Sequence, residues 1–157
     1  MPSGSCWCGN LKYEFSGEPL EKPTCHCLTC RKVTGSAFSL NALLPRAAVK
    51  VTPGTPKTFA KAHENGMVIT VTFCSECRTT IFKGADAVAF ADVVVLQTGT
   101  MDGGVEEMGP RAELWVKHRA EWMPKVVGAV QKLLYFRIRD VQWSFKLDVV
   151  GLLKLDL

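Results

Sequence analysis

Seven cysteines stand in three groups: a C-x-C at Cys6 and Cys8, a C-x-C-x-x-C at Cys25, Cys27 and Cys30, and a C-x-x-C at Cys74 and Cys77. Each spacing lets neighbouring thiolates chelate one ion. A structural zinc takes four thiolate or imidazole ligands in a tetrahedron, whereas a catalytic zinc keeps three and leaves the fourth position to water or substrate. Seven divides as four plus three. By spacing alone, either Cys6 and Cys8 or the Cys25 group is able to partner Cys74 and Cys77. The count favours the first choice, because it leaves the triple cluster intact as an open site. A lone buried cysteine is a small apolar side chain, but that does not account for three chelating spacings. An odd number also suits a disulfide framework poorly. The chain is therefore expected to bind two zinc ions.

An ion held by three thiolates carries a net charge of −1 and is a weaker Lewis acid than one held by neutral imidazoles. It suits a soft incoming donor, so a substrate thiol is a natural fourth ligand and is kept deprotonated there. A thiolate in that position adds to a carbonyl, or leaves from a thiohemiacetal-like adduct. His26 lies between two of the cysteines. In an extended segment its side chain points away from the ion, so it is expected to support the site rather than ligate. His63 and His118 stand alone and read as surface or hydrogen-bonded residues. Arg31 directly follows the cluster and is a candidate partner for a substrate carboxylate, with a surface ion pair as the plainer reading. Phe38 is a candidate pocket wall, with core packing as its alternative.

The elements that must hold these residues read mainly as strands. "LKYEF" alternates and carries aromatic residues, and "SAFSLNALLP" runs to Pro45. Val49 to Val51 is a short strand that stops at the turn "TPGTP". "GMVITVTFC" is rich in β-branched residues and delivers Cys74 from a strand end. "AVAFADVVVLQTGTMD" is an apolar run followed by a turn, and "AELWV" is a further short strand. Helical periodicity is weak throughout, with at most a short helical turn in "RAEWMPKVVGAVQ".

A chain of 157 residues with 47% apolar and 22% charged residues has the composition of one globular domain. No basic stretch followed by an apolar one opens the sequence, and no uncharged run is long enough to span a bilayer. A cytoplasmic protein is expected, in a compartment where thiols stay reduced and clustered cysteines bind metal. Seven thiolates and two zinc ions would bring the formal net charge of +4 to about +1. Basic residues are scattered, so neither nucleic acid nor membrane is an expected partner.

"GSCWCGNLKYEF", "TCHCLTCRKVTGSAFS" and "FCSECRTTIF" resemble the three signature segments of the glutathione-dependent formaldehyde-activating enzyme family, which includes the centromere protein V type domain. "LQTGTMD" and "AELWVKHRAEWMP" resemble its closing segments. The resemblance implies an Mss4-like fold of stacked antiparallel sheets over residues 1–131. It also implies a structural zinc on Cys6, Cys8, Cys74 and Cys77, and a catalytic zinc on Cys25, Cys27 and Cys30. The implied activity is that of a carbon–sulfur lyase joining glutathione to formaldehyde. Two rival functions are a zinc Lewis-acid lyase, isomerase or hydrolase acting on a larger metabolite, and a non-catalytic zinc interaction module. One departure stands out: Arg78 follows the last C-x-x-C, where the family has a glycine suited to positive φ.

Residues 132–157 fall outside the resemblance. From Val141 to Val149 apolar and polar residues alternate, the pattern of a half-buried strand. An uncovered strand of this kind aggregates. The segment is therefore expected to be an added strand that contributes to a homodimer contact, with the chain's own sheet as the rival location.

Overall fold

The computed structural model describes residues 1–52 and 54–134. Its strands and single α-helix, in chain order, are β1 (Ser3–Ser5), β2 (Lys12–Phe15), β3 (Pro23–Cys25), α1 (Leu28–Thr34), β4 (Ser39–Pro45), β5 (Val49–Thr52), β6 (Pro56–Ala62), β7 (Val68–Cys74), β8 (Thr80–Ala85), β9 (Val93–Gln97), β10 (Ala112–Leu114) and β11 (Val130–Lys132). β1, β2 and β5 form a small antiparallel sheet, and the other eight form a sheet in the order β11-β10-β3-β4-β9-β8-β7-β6. The mainly-β reading of the sequence holds. The large sheet is antiparallel from β3 to β6, but β10 runs parallel to both β3 and β11.

Alternation decides what each face of the large sheet covers. On β4, Ala42 and Leu44 face one way, and on β9, Val94 and Leu96 do the same. With Ile81 and Phe82 of β8, they pack on Leu11, Tyr13 and Phe15 from the small-sheet side. The opposite face carries Asn41, Leu43, Lys83, Ala85, Val93 and Val95, which line a cavity. The sheet is thus apolar on both sides, which is why "VVVLQ" reads as a continuous run rather than an alternating one. Gly4 allows the two layers to close up. A Cβ there would collide with the Tyr13 hydroxyl and the Thr100 carbonyl oxygen.

Two elements differ from the sequence expectation. Helix α1 is too short to show a period. It is set by its ends: Cys27 caps it through Sγ, which accepts from the Cys30 N–H at 3.3 Å, and Gly35 closes it at φ 62°. β6 runs on from the "TPGTP" turn and pairs with β7 along its whole length. All seven of its residues are exposed, so its hydrophobic pattern carries little signal. "RAEWMPKVVGAVQ" forms turns and the start of β11, with no helix. The alternating stretch from Val141 to Val149 lies outside the described residues.

Candidate metal centre and active site

Cys6 and Cys8 follow β1, and Cys74 and Cys77 lie at the end of β7 and in the turn beyond it. The four Sγ atoms lie within 4.8 Å of one another. Cys6 and Cys8 are 3.4 Å apart at sulfur, and Cys8 and Cys74 are 3.8 Å apart. Sulfurs at the corners of a tetrahedron with zinc–sulfur bonds of about 2.3 Å stand about 3.8 Å from each other, so the donor set fits zinc. The two turns are built alike. The residue after the second cysteine of each pair is left-handed: Gly9 at φ 76° and Arg78 at φ 65°. Arg78 therefore holds a left-handed conformation that glycine adopts most readily. Backbone N–H groups point at the sulfurs, Leu11 N–H to Cys6 at 3.2 Å and Glu76 N–H to Cys74 at 3.4 Å. Such bonds stabilise thiolate charge.

Cys25, at the end of β3, and Cys27 and Cys30, at the start of α1, bring a second set of three buried Sγ atoms within 4.8 Å. None of the seven cysteines is in a disulfide. Among the described residues no fourth histidine, cysteine or carboxylate joins this set. Instead Lys83, buried on β8, donates from Nζ to Cys30 Sγ at 3.1 Å and to Ser39 Oγ at 3.2 Å. Hydrogen bonds from Cys25 and Cys27 hold the Cys30 thiol well below its usual range, and the Lys83 charge and the Ser39 hydroxyl add to this. Its own bonds with Cys27 and then Cys30, together with burial, push Cys25 well above it. Ser39 also donates to Asn41 Oδ1, which accepts as well from Gln97 Nε2 at 3.0 Å, so the platform under Lys83 is a buried polar network.

His26 is fully buried and makes a 2.9 Å hydrogen bond from its Nε2 to Glu113 Oε1. Glu113 is buried on β10 and accepts in addition from Arg119, Gln131 and the Val126 N–H. Its carboxylate thereby ties the segment between Cys25 and Cys27 to the sheet edge and to the loop leading to β11.

The three thiols form one wall of a cavity of about 160 Å³ that Leu20, Leu43, Ile69, Phe90, Val95 and Trp115 also line. Trp115 packs on the cysteines in a left-handed conformation, φ 57°, which costs a bulky residue energy. Its ring is gripped on several sides. His63 meets it edge-on at 4.8 Å, His118 stacks at 6.0 Å and Lys117 Nζ sits 4.7 Å from its centroid. Glu64, in the turn between β6 and β7, pairs with His118 at 3.0 Å and Lys117 at 3.6 Å. That turn is thereby fastened over the cavity.

A family model described as glutathione-dependent formaldehyde-activating enzyme matches residues 1–118. The chain belongs to this family. A crystal structure of a Rhodobacter sphaeroides protein has a similar fold, with a TM-score of 0.51 and 15% identity over 83% of this chain and 98% of that one. No curated protein matches the sequence.

The two cysteine sets of this family member are assembled as the four-plus-three division expects. His26 is a supporting residue. His63 is buried and bonded to Asn65, and His118 is bonded to Glu64. Arg31 is exposed on α1 and is not part of the cavity wall. Phe38 is half-buried, 6.0 Å from the His26 ring, and lines a separate groove with Arg78 and Gln97. Lys83, Ser39, Glu113 and Trp115 were not singled out from the sequence. A lysine inside the strand "TIFKGA" is the one local signal, since a charge between apolar neighbours on a buried strand needs a partner. Among the described residues no helix is long and apolar enough to cross a membrane.

Proposed function

We propose that the chain is a zinc-dependent enzyme of the carbon–sulfur lyase type, which makes or breaks the bond between a thiol such as glutathione and the carbon of a carbonyl compound. The observation that carries this reading is the set of three converging thiols at the wall of a half-open cavity, with no fourth side-chain ligand among the described residues. The donors suit zinc on Cys25, Cys27 and Cys30, with a second zinc on Cys6, Cys8, Cys74 and Cys77 serving the fold. A zinc ion bound at the three-cysteine set supplies positive charge that lowers the pKa of a thiol brought to it.

The remaining work falls to the chain's own residues. Lysine has three N–H donors, and Lys83 uses two, on Cys30 and Ser39. The third is available to a carbonyl oxygen in the cavity, where negative charge builds as sulfur attacks carbon. In the forward direction a carbon–sulfur bond forms, the carbonyl π-bond breaks, and the proton lost from the thiol ends on the new hydroxyl. Trp115, Leu43 and Val95 exclude water, which strengthens that hydrogen bond. Arg31, on the exposed side of α1, is proposed to meet a carboxylate of the thiol substrate outside the cavity, and Phe38 to flank the same approach.

Seven unpaired thiols suit a reducing compartment, and the cytoplasm is the proposed location. Residues 132–157 are proposed to extend a zinc domain ending near residue 131 and to join two copies. Sedimentation of the full chain against one ending at Gln131 tests this, and a full-length monomer at micromolar concentration refutes it.

The activity is tested by magnetisation-exchange NMR on the zinc-loaded protein with glutathione and ¹³C-formaldehyde. Exchange between the free aldehyde and its glutathione adduct should be accelerated over the spontaneous rate, and Cys27→Ser should remove the acceleration. No acceleration with this pair or with other thiol–aldehyde pairs would refute the reading.

A further inference from the structure

The cavity is much larger than formaldehyde needs, and its chemistry is wrong for the charged ends of glutathione. Apolar cavities of about 150 Å³ enclose a benzene ring, and this one measures about 160 Å³. Its wall between β4, β7, β9 and the β10 end is aliphatic or aromatic: Leu20, Leu43, Ile69, Phe90, Val95 and Trp115. Two of its polar members are already engaged. Glu21 pairs with Arg111 at 3.4 Å, and Asn41 bonds to Ser39, Gln97 and the Pro23 carbonyl. Among the described residues Lys83 is the one lysine or arginine in the wall. Glutathione brings two carboxylates and an ammonium, and burying them here would leave charges without partners.

What the cavity suits is a compound with one polar end and an apolar body. Lys83 and the three thiols stand together at one place in the wall, and the rest is mostly apolar, with Glu21, Thr29, Asn41 and His63 as the other polar members. We infer that the carbonyl substrate carries an apolar body of about six to eight carbon atoms, an aromatic or medium-chain aldehyde, held in this cavity with its oxygen against Lys83 Nζ. The tripeptide's charged ends then remain outside. This rests on the carbon–sulfur reading above and replaces formaldehyde by a larger carbonyl partner.

The test is isothermal titration of the zinc-loaded full chain with three ketones: acetone, acetophenone and 4-acetylbenzoate. Acetophenone should bind at least tenfold more tightly than acetone, and 4-acetylbenzoate, with a charge on the ring, no more tightly than acetone. Val95→Phe places a ring in the cavity and should abolish the preference for acetophenone while the protein still melts cooperatively. Ala85→Leu, a smaller intrusion from β8, should weaken it. Equal binding of acetone and acetophenone by the wild type overturns the inference. A preference unchanged in both variants overturns it too, because the ring is then bound elsewhere.

Glutathione consumption with formaldehyde and with benzaldehyde separates this inference from the reading beneath it. Acetophenone binding with neither aldehyde adding to the thiol faster than the spontaneous rate defeats the carbon–sulfur chemistry and leaves the apolar pocket standing. Accelerated formaldehyde addition with no acetophenone binding defeats the pocket inference alone.

Discussion

Replacing Glu113 by alanine tests whether the open cysteine set is held from behind by the sheet edge. The carboxylate is 1% exposed and accepts hydrogen bonds from His26 Nε2, Arg119 Nη1, Gln131 Nε2 and the Val126 N–H. Each bond to a charged group is worth about 1.5–3 kcal/mol, but the four share one acceptor group and do not add. Removing one partner of a buried charged network costs about 3–5 kcal/mol, because the donors are left unpaired. In a domain of this size that lowers the melting temperature by roughly 10–15 °C. The pH dependence is a second check. Burial alone would raise the Glu113 pKa. Hydrogen bonds from Gln131, Val126 and His26, with the Arg119 charge, more than offset it and hold the carboxyl below its usual range. A depressed carboxylate contributes its stability above the unfolded pKa, about 4.3, and loses it as pH falls through the lower folded value. Urea unfolding of wild type and Glu113→Ala at stepped pH should show a gap that is full near pH 6 and shrinks below about pH 4. Acid loss of any bound metal would act on both chains alike, so the gap isolates the carboxylate. A variant within about 1 kcal/mol of wild type at pH 6, or a gap that widens on acidification, would refute the reasoning.

Four further outcomes follow from the same geometry. Cys74→Ser or Cys77→Ser should leave the protein unfolded or aggregated, since a structural zinc supplies on the order of 10 kcal/mol of folding free energy. Cys25→Ser or Cys27→Ser should retain a cooperative melt with one zinc in place of two by metal analysis; equal damage from both groups would reverse the assignment. Arg78→Gly should raise stability by roughly 0.5–1 kcal/mol in thermal melts, because the residue sits at φ 65° on an exposed turn. Gly4→Ala should lower it by about 2 kcal/mol or more, since the added methyl meets the Thr100 carbonyl and the Tyr13 ring.

The parts legible in the sequence are those whose signal is local. C-x-C and C-x-x-C pairs report themselves over three or four residues, and the strands containing Tyr13, Leu44 and Val71 declare themselves by alternation and β-branching. The division of the cysteines was also legible, because ligand counting constrains which distant pairs meet. The rest depends on contacts that no window contains. Lys83 and Cys30 are 53 residues apart, and His26 and Glu113 are 87 apart. Helix α1 escapes a periodicity search because it has seven residues and owes its start to a cysteine cap. Trp115 reads as an ordinary strand-end aromatic, and nothing in "AELWV" signals its left-handed backbone.

The parallel placement of β10 against β3 has a consequence for biosynthesis. Cys25, Cys27 and Cys30 are made early, but the carboxylate behind them arrives at residue 113 and its Gln131 partner later still. At roughly 5–20 residues per second, the approximately 100 residues from Cys30 to Gln131 take about 5–20 s to translate. Over that interval the cavity wall is added piecemeal, and it is complete only once Trp115 is made. The four-cysteine centre has its last ligand at Cys77 and is ready to close well before the other is walled in. The three-cysteine set, though complete first, at Cys30, is thus the last to be enclosed, and until then its thiols stand open to whichever soft metal or oxidant the cell supplies.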